Sequence, residues 1–445
     1  MHIKKSAAPF AVLTVIGLLL ILAAGWLWYD TNVDRSGWYE KDGVYSYRDF
    51  HGRKVAGWLS LGDKIYYFDA ENRMLTGWQQ LDGENYHFGD DGVMSRGLTN
   101  IEGKSYYFGD TGAMLLGWQE VEGRRYYLGD DGVLRTGWQE IDGIRRYFLD
   151  DGAMATGWQD IDGQRYYFLD TGKALTGSAL LEDGEYFFEE DGTMVTGWRE
   201  AEGQRFYYNE LGLKAFGWKE IDGKRYYFDD AGVMQTGWHE EEEYRYYLQE
   251  DGSAAVGPTV IDGATYYFSP KGIHVVLVNR KNPVPAYYKL DLEIIEDWHR
   301  VQKVALEPLR RMLEDCKAAG ITYTFNSAYR TIKEQTEILE KRTDEYVAQG
   351  MDPDNALAKA LKTAAYPGTS EHHLGLAVDL LGQEAIAWLT EHCWDYGFIV
   401  RYREEKEDIT GFVDEPWHFR YVGTEVSLDM KDSGLCLEEY LGAAG

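Results

Sequence analysis

The 445-residue sequence is poor in cysteine and in positive charge. Its three cysteines, Cys316, Cys393 and Cys436, are too few for a disulfide scaffold and wrongly spaced for a zinc knuckle, so they are free or two of them pair. Lysine and arginine number 45 against 75 aspartates and glutamates, which gives a net charge of −30. A chain with this charge repels nucleic acid and anionic lipid, and we expect no nucleic-acid partner.

The sequence is rich in aromatic residues and glycine. Hydrophobic residues make up 44% and aromatic residues 15%, enough for packed structure rather than disorder. A length of 445 residues predicts about three domains. The 34 tyrosines, 15 tryptophans and 50 glycines indicate an aromatic repeat punctuated by glycine.

An apolar stretch lies near the N-terminus. Lys4 and Lys5 precede an uncharged segment, residues 6–29, that is long enough to cross a bilayer as a helix. The positive flank lies on the N-terminal side, so the positive-inside rule places the rest of the chain outside the cytoplasm. We therefore expect residues 1–30 to form a cytoplasmic tip and a transmembrane anchor, with a cleaved signal peptide as the alternative. Residues 31–36 would be a short linker.

Glycine then recurs with a period of 20. A typical unit reads Gly-Trp-Gln-Glu-Ile-Asp-Gly-x-Arg-Tyr-Tyr-Phe-x-Asp-Asp-Gly-x-Met-x-Thr. Pairs such as Asp162-Gly163 supply the positive-φ positions of a tight turn, and the aromatic run after each pair is typical of a short strand. Because one hairpin cannot bury its own aromatic residues, the units are expected to stack as a β-hairpin solenoid over residues 37–273. The periodic glycines are Gly37, Gly57, Gly77, Gly97, Gly117, Gly137, Gly157, Gly177, Gly197, Gly217, Gly237 and Gly257.

These units resemble the cell-wall-binding repeats of Gram-positive surface proteins, the group that includes choline-binding and glucan-binding modules. The resemblance implies binding of choline groups or glucan chains by aromatic residues, through cation–π attraction or stacking on sugar rings. The unit departs from the choline-binding version in carrying arginine just before its paired aromatic residues, which disfavours a cationic ligand. A pure stalk and a protein adhesin remain as alternatives. The candidate wall-binding tryptophans are Trp118, Trp138, Trp158, Trp198, Trp218 and Trp238.

Beyond the repeats, residues 274–445 mix helix and strand patterns. We expect two helices between Leu292 and Ala319 and a strand from Ile321 to Phe325. Thr331 and Glu334 have capping-box spacing and open a helix that runs to about Lys341. The absence of regular βαβ alternation predicts an α+β domain.

Two strings in this domain carry groups suited to chemistry. The first runs from Ser370 to Leu380 and contains His372 and Asp379, and the second is Glu415-Pro-Trp-His418. Hydrolysis at a zinc ion needs three protein ligands, an open position for water and a carboxylate that takes the proton of that water. His372, Asp379 and His418 can supply the ligands, and Glu415, in a turn three residues before His418, can act as the base.

In this order, the strings resemble the VanY-type D-alanyl-D-alanine carboxypeptidases, zinc peptidases related to lysostaphin and the hedgehog domain. The resemblance implies Zn²⁺ as cofactor and Arg330 as the group that stabilises the oxyanion. It also implies substrate-binding roles for Ser327, Tyr329, Gln335 and Ser370. His373, beside a ligand, is expected to lie behind the site or to be exposed rather than to serve as a fourth ligand.

The resemblance implies removal of the terminal D-alanine from peptidoglycan stem peptides by an enzyme anchored in the membrane and held at the wall by its repeats. Two other activities stay open, those of an L,D-carboxypeptidase and of a cross-bridge endopeptidase. A third alternative is a wall-binding adhesin with a vestigial peptidase domain, which the intact set of ligands and base argues against.

Overall fold

The computed structural model describes residues 8–32 and 34–444. It divides into two compact units, one of residues up to Leu181 with Phe187–Met194, and one of Glu182–Tyr186 with residues from Val195 onward.

The N-terminal segment forms helix α1, Ala8–Asn32. Within the described part of the chain, no helix has both the length and the apolar character that a membrane span requires. The predicted transmembrane anchor is therefore not supported. Lys4 and Lys5 of the predicted cytoplasmic tip, and Val33 of the predicted linker, lie outside the described residues.

The predicted β-hairpin repeat is confirmed, since residues 37–268 form twelve antiparallel hairpins of two five-residue strands each. Hairpins 1–12 consist in chain order of β1–β2 (Gly37–Lys41, Val44–Arg48), β3–β4 (Gly57–Leu61, Lys64–Phe68), β5–β6 (Gly77–Leu81, Glu84–Phe88), β7–β8 (Gly97–Ile101, Lys104–Phe108), β9–β10 (Gly117–Val121, Arg124–Leu128), β11–β12 (Gly137–Ile141, Ile144–Phe148), β13–β14 (Gly157–Ile161, Gln164–Phe168), β15–β16 (Gly177–Leu181, Gly184–Phe188), β17–β18 (Gly197–Ala201, Gln204–Tyr208), β19–β20 (Gly217–Ile221, Lys224–Phe228), β21–β22 (Gly237–Glu241, Tyr244–Leu248) and β23–β24 (Gly257–Ile261, Ala264–Phe268).

The hairpin turns follow from local chemistry. Asp162 has φ 52° and Gly163 has φ 78°, so both central residues of the turn are left-handed, as a type I′ turn requires. Aspartate tolerates this region better than most residues, and glycine adopts it without steric cost. The Asp-Gly pair therefore fixes the pairing of the two strands.

Consecutive hairpins pack on one another within each unit. In the first unit, the Trp118 ring lies 6.0 Å from the Phe148 ring of the next hairpin, and the Met154 N–H donates to the Arg125 carbonyl at 2.7 Å. In the second unit, the Trp238 and Phe268 rings are 6.1 Å apart. The tryptophans therefore pack between neighbouring repeats.

The C-terminal domain has the predicted α+β fold. Its main sheet is antiparallel with the order β27-β28-β30-β29, and β25 pairs with β26 in a separate hairpin. The strands are β25 (Leu292–Glu296), β26 (His299–Gln302), β27 (Thr324–Ser327), β28 (Ala377–Leu381), β29 (Phe398–Tyr402) and β30 (Glu415–Tyr421). The helices are α2 (Lys303–Ala318), α3 (Ile332–Ala348), α4 (Pro353–Ala360), α5 (Gln383–His392), α6 (Glu407–Thr410), α7 (Thr424–Lys431) and α8 (Leu437–Tyr440), with 3₁₀ turns at Glu371–Leu374, Cys393–Tyr396 and Glu404–Lys406.

Two local predictions in this domain were wrong. The first of the two helices expected from Leu292 is instead the hairpin β25–β26, because Asp297 takes φ 51° and reverses the chain there. Glu415 begins strand β30 rather than lying in a turn. The capping box at Thr331 is confirmed, since its side chain accepts from the Glu334 N–H and the Glu334 carboxylate accepts from the Thr331 N–H.

One hydrophobic cluster of the second unit joins the last repeats to the C-terminal domain. It contains Tyr246 and Ile273 from the repeat region and Ile399, Val422 and Leu437 from the α+β domain, all of them buried. The sheet packs on α2 and α5 through a second cluster that includes Cys316 and Cys393. All three cysteines are free and buried.

Candidate active site

The three predicted metal ligands lie together although they come from separate elements. His372 lies in the 3₁₀ turn that Gly375 ends in a left-handed conformation (φ 68°). Asp379 on β28 and His418 on β30 are direct partners in the strand register. One potential ligand atom from each of His372, Asp379 and His418 lies within 4.8 Å of the other two, and all three residues are buried.

A hydrogen bond fixes the tautomer of His372. Its Nδ1 lies 2.6 Å from the Ala328 carbonyl, which can only accept, so Nδ1 carries the proton. The unprotonated Nε2 is buried, has no hydrogen-bond partner among the residues that the structure describes, and faces Asp379 Oδ2 at 3.3 Å. Two acceptors held this close without a proton between them need a cation, which is the arrangement that a metal ligand pair has.

His418 lies between two carboxylates. Its Nε2 is 3.4 Å from Glu371 Oε2 and its Nδ1 is 3.0 Å from Asp379 Oδ1. Burial alone would lower the pKa of His418, but the bonds to Asp379 and Glu371 raise it to about 9. The position therefore attracts positive charge. When Nε2–H donates to Glu371, Nδ1 is left as the atom that can bind a metal beside Asp379.

The protonation states of the other two ligands suit a divalent cation. Burial, assisted by the Arg330 charge, lowers the pKa of His372 to about 4, so this imidazole is neutral. Burial would raise the pKa of Asp379, but His372 and His418 hold it well below its usual value, so this carboxylate is ionised. Two imidazole nitrogens and one carboxylate form a donor set typical of catalytic zinc.

Behind His418 lies a buried network of charges. Glu371 Oε1 accepts from Arg401 Nε at 2.9 Å and from Arg420 Nη1 at 3.1 Å, and Arg401 also donates to both oxygens of Glu438. None of these four side chains is more than 3% exposed. The arginines hold the pKa of Glu371 well below its usual value against the opposing effect of burial. Glu371 therefore stays ionised and orients His418.

We expect Glu371→Gln to destabilise the second unit by about 3–5 kcal/mol, because the neutral amide leaves the buried charges of Arg401 and Arg420 undercompensated. The measurement is the melting temperature of the calorimetric transition in which peptidase activity is lost. Glu405→Gln is the matched control, since Glu405 is exposed and lies 3.6 Å from Arg403. The control should cost about 1 kcal/mol or less. Equal melting temperatures for the two variants would contradict a structural role for Glu371.

A cleft of about 680 Å³ opens beside the candidate metal ligands. Ser327, Tyr329, Arg330, Asp379 and Glu415 line it. So do Trp417, which stands in the second string without an assigned role, and Trp298 and Arg342, which were not singled out from the sequence. Glu415 is buried, and its burial raises its pKa to about 7. A carboxylate with this pKa can exchange a proton near neutral pH.

Arg330 is held in place on several sides. Its Nη1 donates to Gln335 Oε1 at 2.8 Å, and its Nη2 lies 3.4 Å from Asp379 Oδ2. The Nε atom is buried and has no hydrogen-bond partner in the described part of the chain. Burial lowers the pKa of Arg330, and the Asp379 and Glu415 charges oppose this shift. The guanidinium is therefore a fixed cation at the edge of the cleft.

Gln335 and Ser370, both predicted to bind substrate, and His373, the neighbour of His372, do not line the cleft. Gln335 is buried, with its Nε2 donating to the Ala365 carbonyl at 2.8 Å. His373 donates through Nδ1 to the Arg330 carbonyl at 2.7 Å and accepts from the Gly368 N–H at 3.1 Å. His373 thus supports the Arg330 backbone from outside the metal-ligating group.

The six tryptophans predicted to bind the wall are half-buried, and an arginine from the second strand of the same hairpin lies over each ring. The distances from the guanidinium carbon to the ring centroid are 4.6 Å for Arg125 on Trp118, 3.8 Å for Arg145 on Trp138, 4.8 Å for Arg165 on Trp158, 4.5 Å for Arg205 on Trp198, 4.4 Å for Arg225 on Trp218 and 4.0 Å for Arg245 on Trp238.

Comparison with known families gives two matches. Residues 298–424 match the family model described as VanY, D-alanyl-D-alanine carboxypeptidase. The repeat region matches the model described as choline-binding repeat. The matched segments are 75–116, 95–135, 115–156, 135–168, 155–185 and 215–257.

Among proteins, a D-alanyl-D-alanine carboxypeptidase of Enterococcus faecalis is 42% identical over 175 residues, which cover 38% of this chain and 65% of that protein. The chain thus spans slightly less than two thirds of this relative. The bifunctional D-Ala-D-Ala dipeptidase and carboxypeptidase VanXYC of Enterococcus gallinarum is 35% identical over 167 residues, covering 34% of this chain and 76% of that protein. A crystal structure of a variant D,D-pentapeptidase VanY with Zn(II) is 42% identical, with a TM-score of 0.37, covering 37% of this chain and 97% of its own.

Proposed function

This chain belongs to the family of VanY-type D-alanyl-D-alanine carboxypeptidases, and from that premise we propose that it is a zinc carboxypeptidase that removes the terminal D-alanine of peptidoglycan stem peptides. The observation that carries the proposal is the buried, unpartnered Nε2 of His372, which faces Asp379 at 3.3 Å with His418 alongside. This donor set lies at the edge of a cleft that also exposes a carboxylate and a guanidinium, which are the groups that amide hydrolysis needs.

His372, Asp379 and His418 are the residues that would hold zinc. Bound zinc lowers the pKa of a water molecule and polarises a carbonyl group. Glu415 accepts the proton of the attacking water and returns it to the amine of the departing D-alanine, a transfer that a pKa of about 7 favours near neutral pH. Arg330 stabilises the negative charge that develops on the scissile carbonyl oxygen.

The repeats are proposed to hold the enzyme at the cell wall. The match of the repeat region to choline-binding repeats supports this role, and a choline-bearing or glucan-like polymer is the proposed partner. Residues from Gly37 to Val256 carry 42 acidic against 22 basic side chains, so the repeats would repel an anionic wall polymer that lacks attached cations. The stem peptide is the proposed partner of the catalytic domain.

Incubation of the full chain and zinc with defined stem peptides, followed by mass spectrometry, tests the proposed activity. We expect a pentapeptide ending in D-Ala-D-Ala to lose one alanine and a tetrapeptide to remain intact. Loss of alanine from the tetrapeptide alone would assign an L,D-carboxypeptidase, and cleavage of a cross-linked dimer would assign an endopeptidase. If none of these peptides is cleaved, a wall-binding adhesin with a vestigial peptidase domain is the remaining alternative.

Arg330→Lys is expected to lower kcat by about 10²–10³-fold and to change KM much less, because lysine keeps the charge but cannot contact Gln335 and the substrate oxyanion together. The measurement is steady-state release of D-alanine. Arg310→Lys is the control, since Arg310 is exposed and pairs with the exposed Glu307 on α2. A rise in KM without a fall in kcat would instead assign Arg330 to ground-state binding.

A further inference from the structure

The nine tryptophans of the hairpins fall into two classes. Six have an arginine over the ring, as described above, whereas Trp38, Trp58 and Trp78 in hairpins 1–3 have no lysine or arginine over the ring among the described residues. These three are also the more exposed class, at 46%, 44% and 42%. The repeat therefore presents its indole rings in a covered and an open form.

Trp58 and Trp138, one ring of each form, have matching aromatic surroundings. The ring of Trp58 lies 4.8 Å from Tyr67 of its own hairpin, and 5.1 Å from Tyr86 and 6.1 Å from Phe88 of the next. The corresponding distances for Trp138 are 5.2, 5.2 and 5.8 Å. For these two rings, the guanidinium over Trp138 is thus the feature that differs.

Strand register explains the difference. Trp138 pairs with Tyr147, and the covering Arg145 stands two residues before that tyrosine on the same strand. Alternate strand residues share one face, so the side chain at this position lies diagonally across from the tryptophan. In hairpins 1–3 the same position holds Tyr45, Ile65 and Asn85.

Three of the covering arginines, Arg145, Arg205 and Arg225, also donate a hydrogen bond to a backbone carbonyl. In the first unit, Arg145 Nη1 donates to the Asp191 carbonyl at 3.2 Å. In the second unit, Arg205 Nη1 donates to the Asp251 carbonyl at 3.1 Å. Each of these carbonyls lies 46 residues further along the chain, two repeats away. A ligand for such an indole face would have to displace a bound cation and break a hydrogen bond.

We propose that a quaternary ammonium ligand, the class that the match to choline-binding repeats implies, binds only at the open faces of Trp38, Trp58 and Trp78, and that the six arginine-covered faces are closed. The inference rests on the proposed wall-binding function and specifies where it resides. The covered hairpins show which chemistry the indole face accepts, because there it holds a cation over the ring. An open face with the same aromatic neighbours has the same electrostatic preference.

A reciprocal swap of the covering residue tests the proposal in the full chain. Asn85→Arg places a cation beside Trp78, and Arg145→Asn removes the one over Trp138. Titration with choline chloride, followed calorimetrically, should show one binding equivalent fewer for Asn85→Arg and one more for Arg145→Asn. Trp58→Ala should also lose one equivalent, whereas Trp198→Ala should lose none. Release of D-alanine monitors the integrity of the catalytic domain in every variant.

The outcomes separate this inference from the proposed function. Loss of choline binding in Trp198→Ala but not in Trp58→Ala would overturn the inference and leave wall binding intact. Unchanged stoichiometry in both swap variants would overturn it as well. Retention on isolated cell walls without any choline binding by the unmodified chain would rule out the quaternary ammonium ligand. Absence of retention on walls would remove the proposed wall-binding function itself.

Discussion

Glu415→Gln is expected to retain zinc and to lose about 10²–10⁴-fold in kcat. Glu415 lines the cleft but does not belong to the His372, Asp379 and His418 group, so its carboxylate is free for proton transfer. Glutamine has nearly the same shape, so binding of zinc and substrate should change little, but its amide cannot accept and return a proton. The measurement combines zinc content by mass spectrometry with single-turnover release of D-alanine.

Asp414→Asn is the matched control for this experiment. Asp414 is the exposed neighbour of Glu415, and its replacement removes the same charge one residue away without changing the cleft. The control should keep kcat within about twofold, since a surface change of this kind has a small energetic effect. If Glu415→Gln kept the kcat of the unmodified chain, a group other than Glu415 would be the base.

The repeats could be predicted from the sequence because their determinants are local. Asp-Gly pairs at fixed spacing fix the turns, and the aromatic residues between them fix the strands. The segment from Leu292 to Gln302 was mispredicted because a short apolar run fits a helix or a strand, and the positive φ of Asp297 that decides between them is not visible in the sequence.

In the candidate site, too, local sequence predicts some residues and misses others. His372 and Asp379 are in one short string, and His418 stands in a second one, so spacing and residue type were enough to propose them. The partners of Glu371 come from distant elements: Arg401 lies on β29 and Arg420 on β30. Nothing in their local sequence signals a buried ion pair, because the pair exists only once the sheet has formed.

The arginines of the repeats illustrate an intermediate case. Their position before the paired aromatic residues was visible as a departure from the choline-binding pattern, and it predicted a poor site for a cationic ligand. What the sequence could not supply was the reason. Arg145 lies on the Trp138 ring at 3.8 Å and is bonded to the Asp191 carbonyl, so the guanidinium occupies the face that a ligand would use.

Asp379→Asn is expected to abolish both zinc binding at micromolar concentration and turnover. The Asp379 oxygens lie 3.3 Å from His372 Nε2, 3.0 Å from His418 Nδ1 and 3.4 Å from Arg330 Nη2, so its charge faces three side chains of the centre. Asparagine removes that charge and presents an amide N–H₂ or a weaker oxygen donor. Zinc affinity should fall by more than the about 10–100-fold that loss of a ligand's hydrogen-bond partner costs.

Zinc content after dialysis, measured beside activity, distinguishes Asp379→Asn from Glu415→Gln. Both variants should be inactive, but only Asp379→Asn should emerge without zinc, and only its activity should recover in part at millimolar zinc, because mass action refills a weakened site. Asp408→Asn, an exposed change on α6, should behave as the unmodified chain. If Asp379→Asn kept its zinc, the three buried side chains would not form the metal site, and Asp379 would be left as the counter-ion of Arg330 and His418.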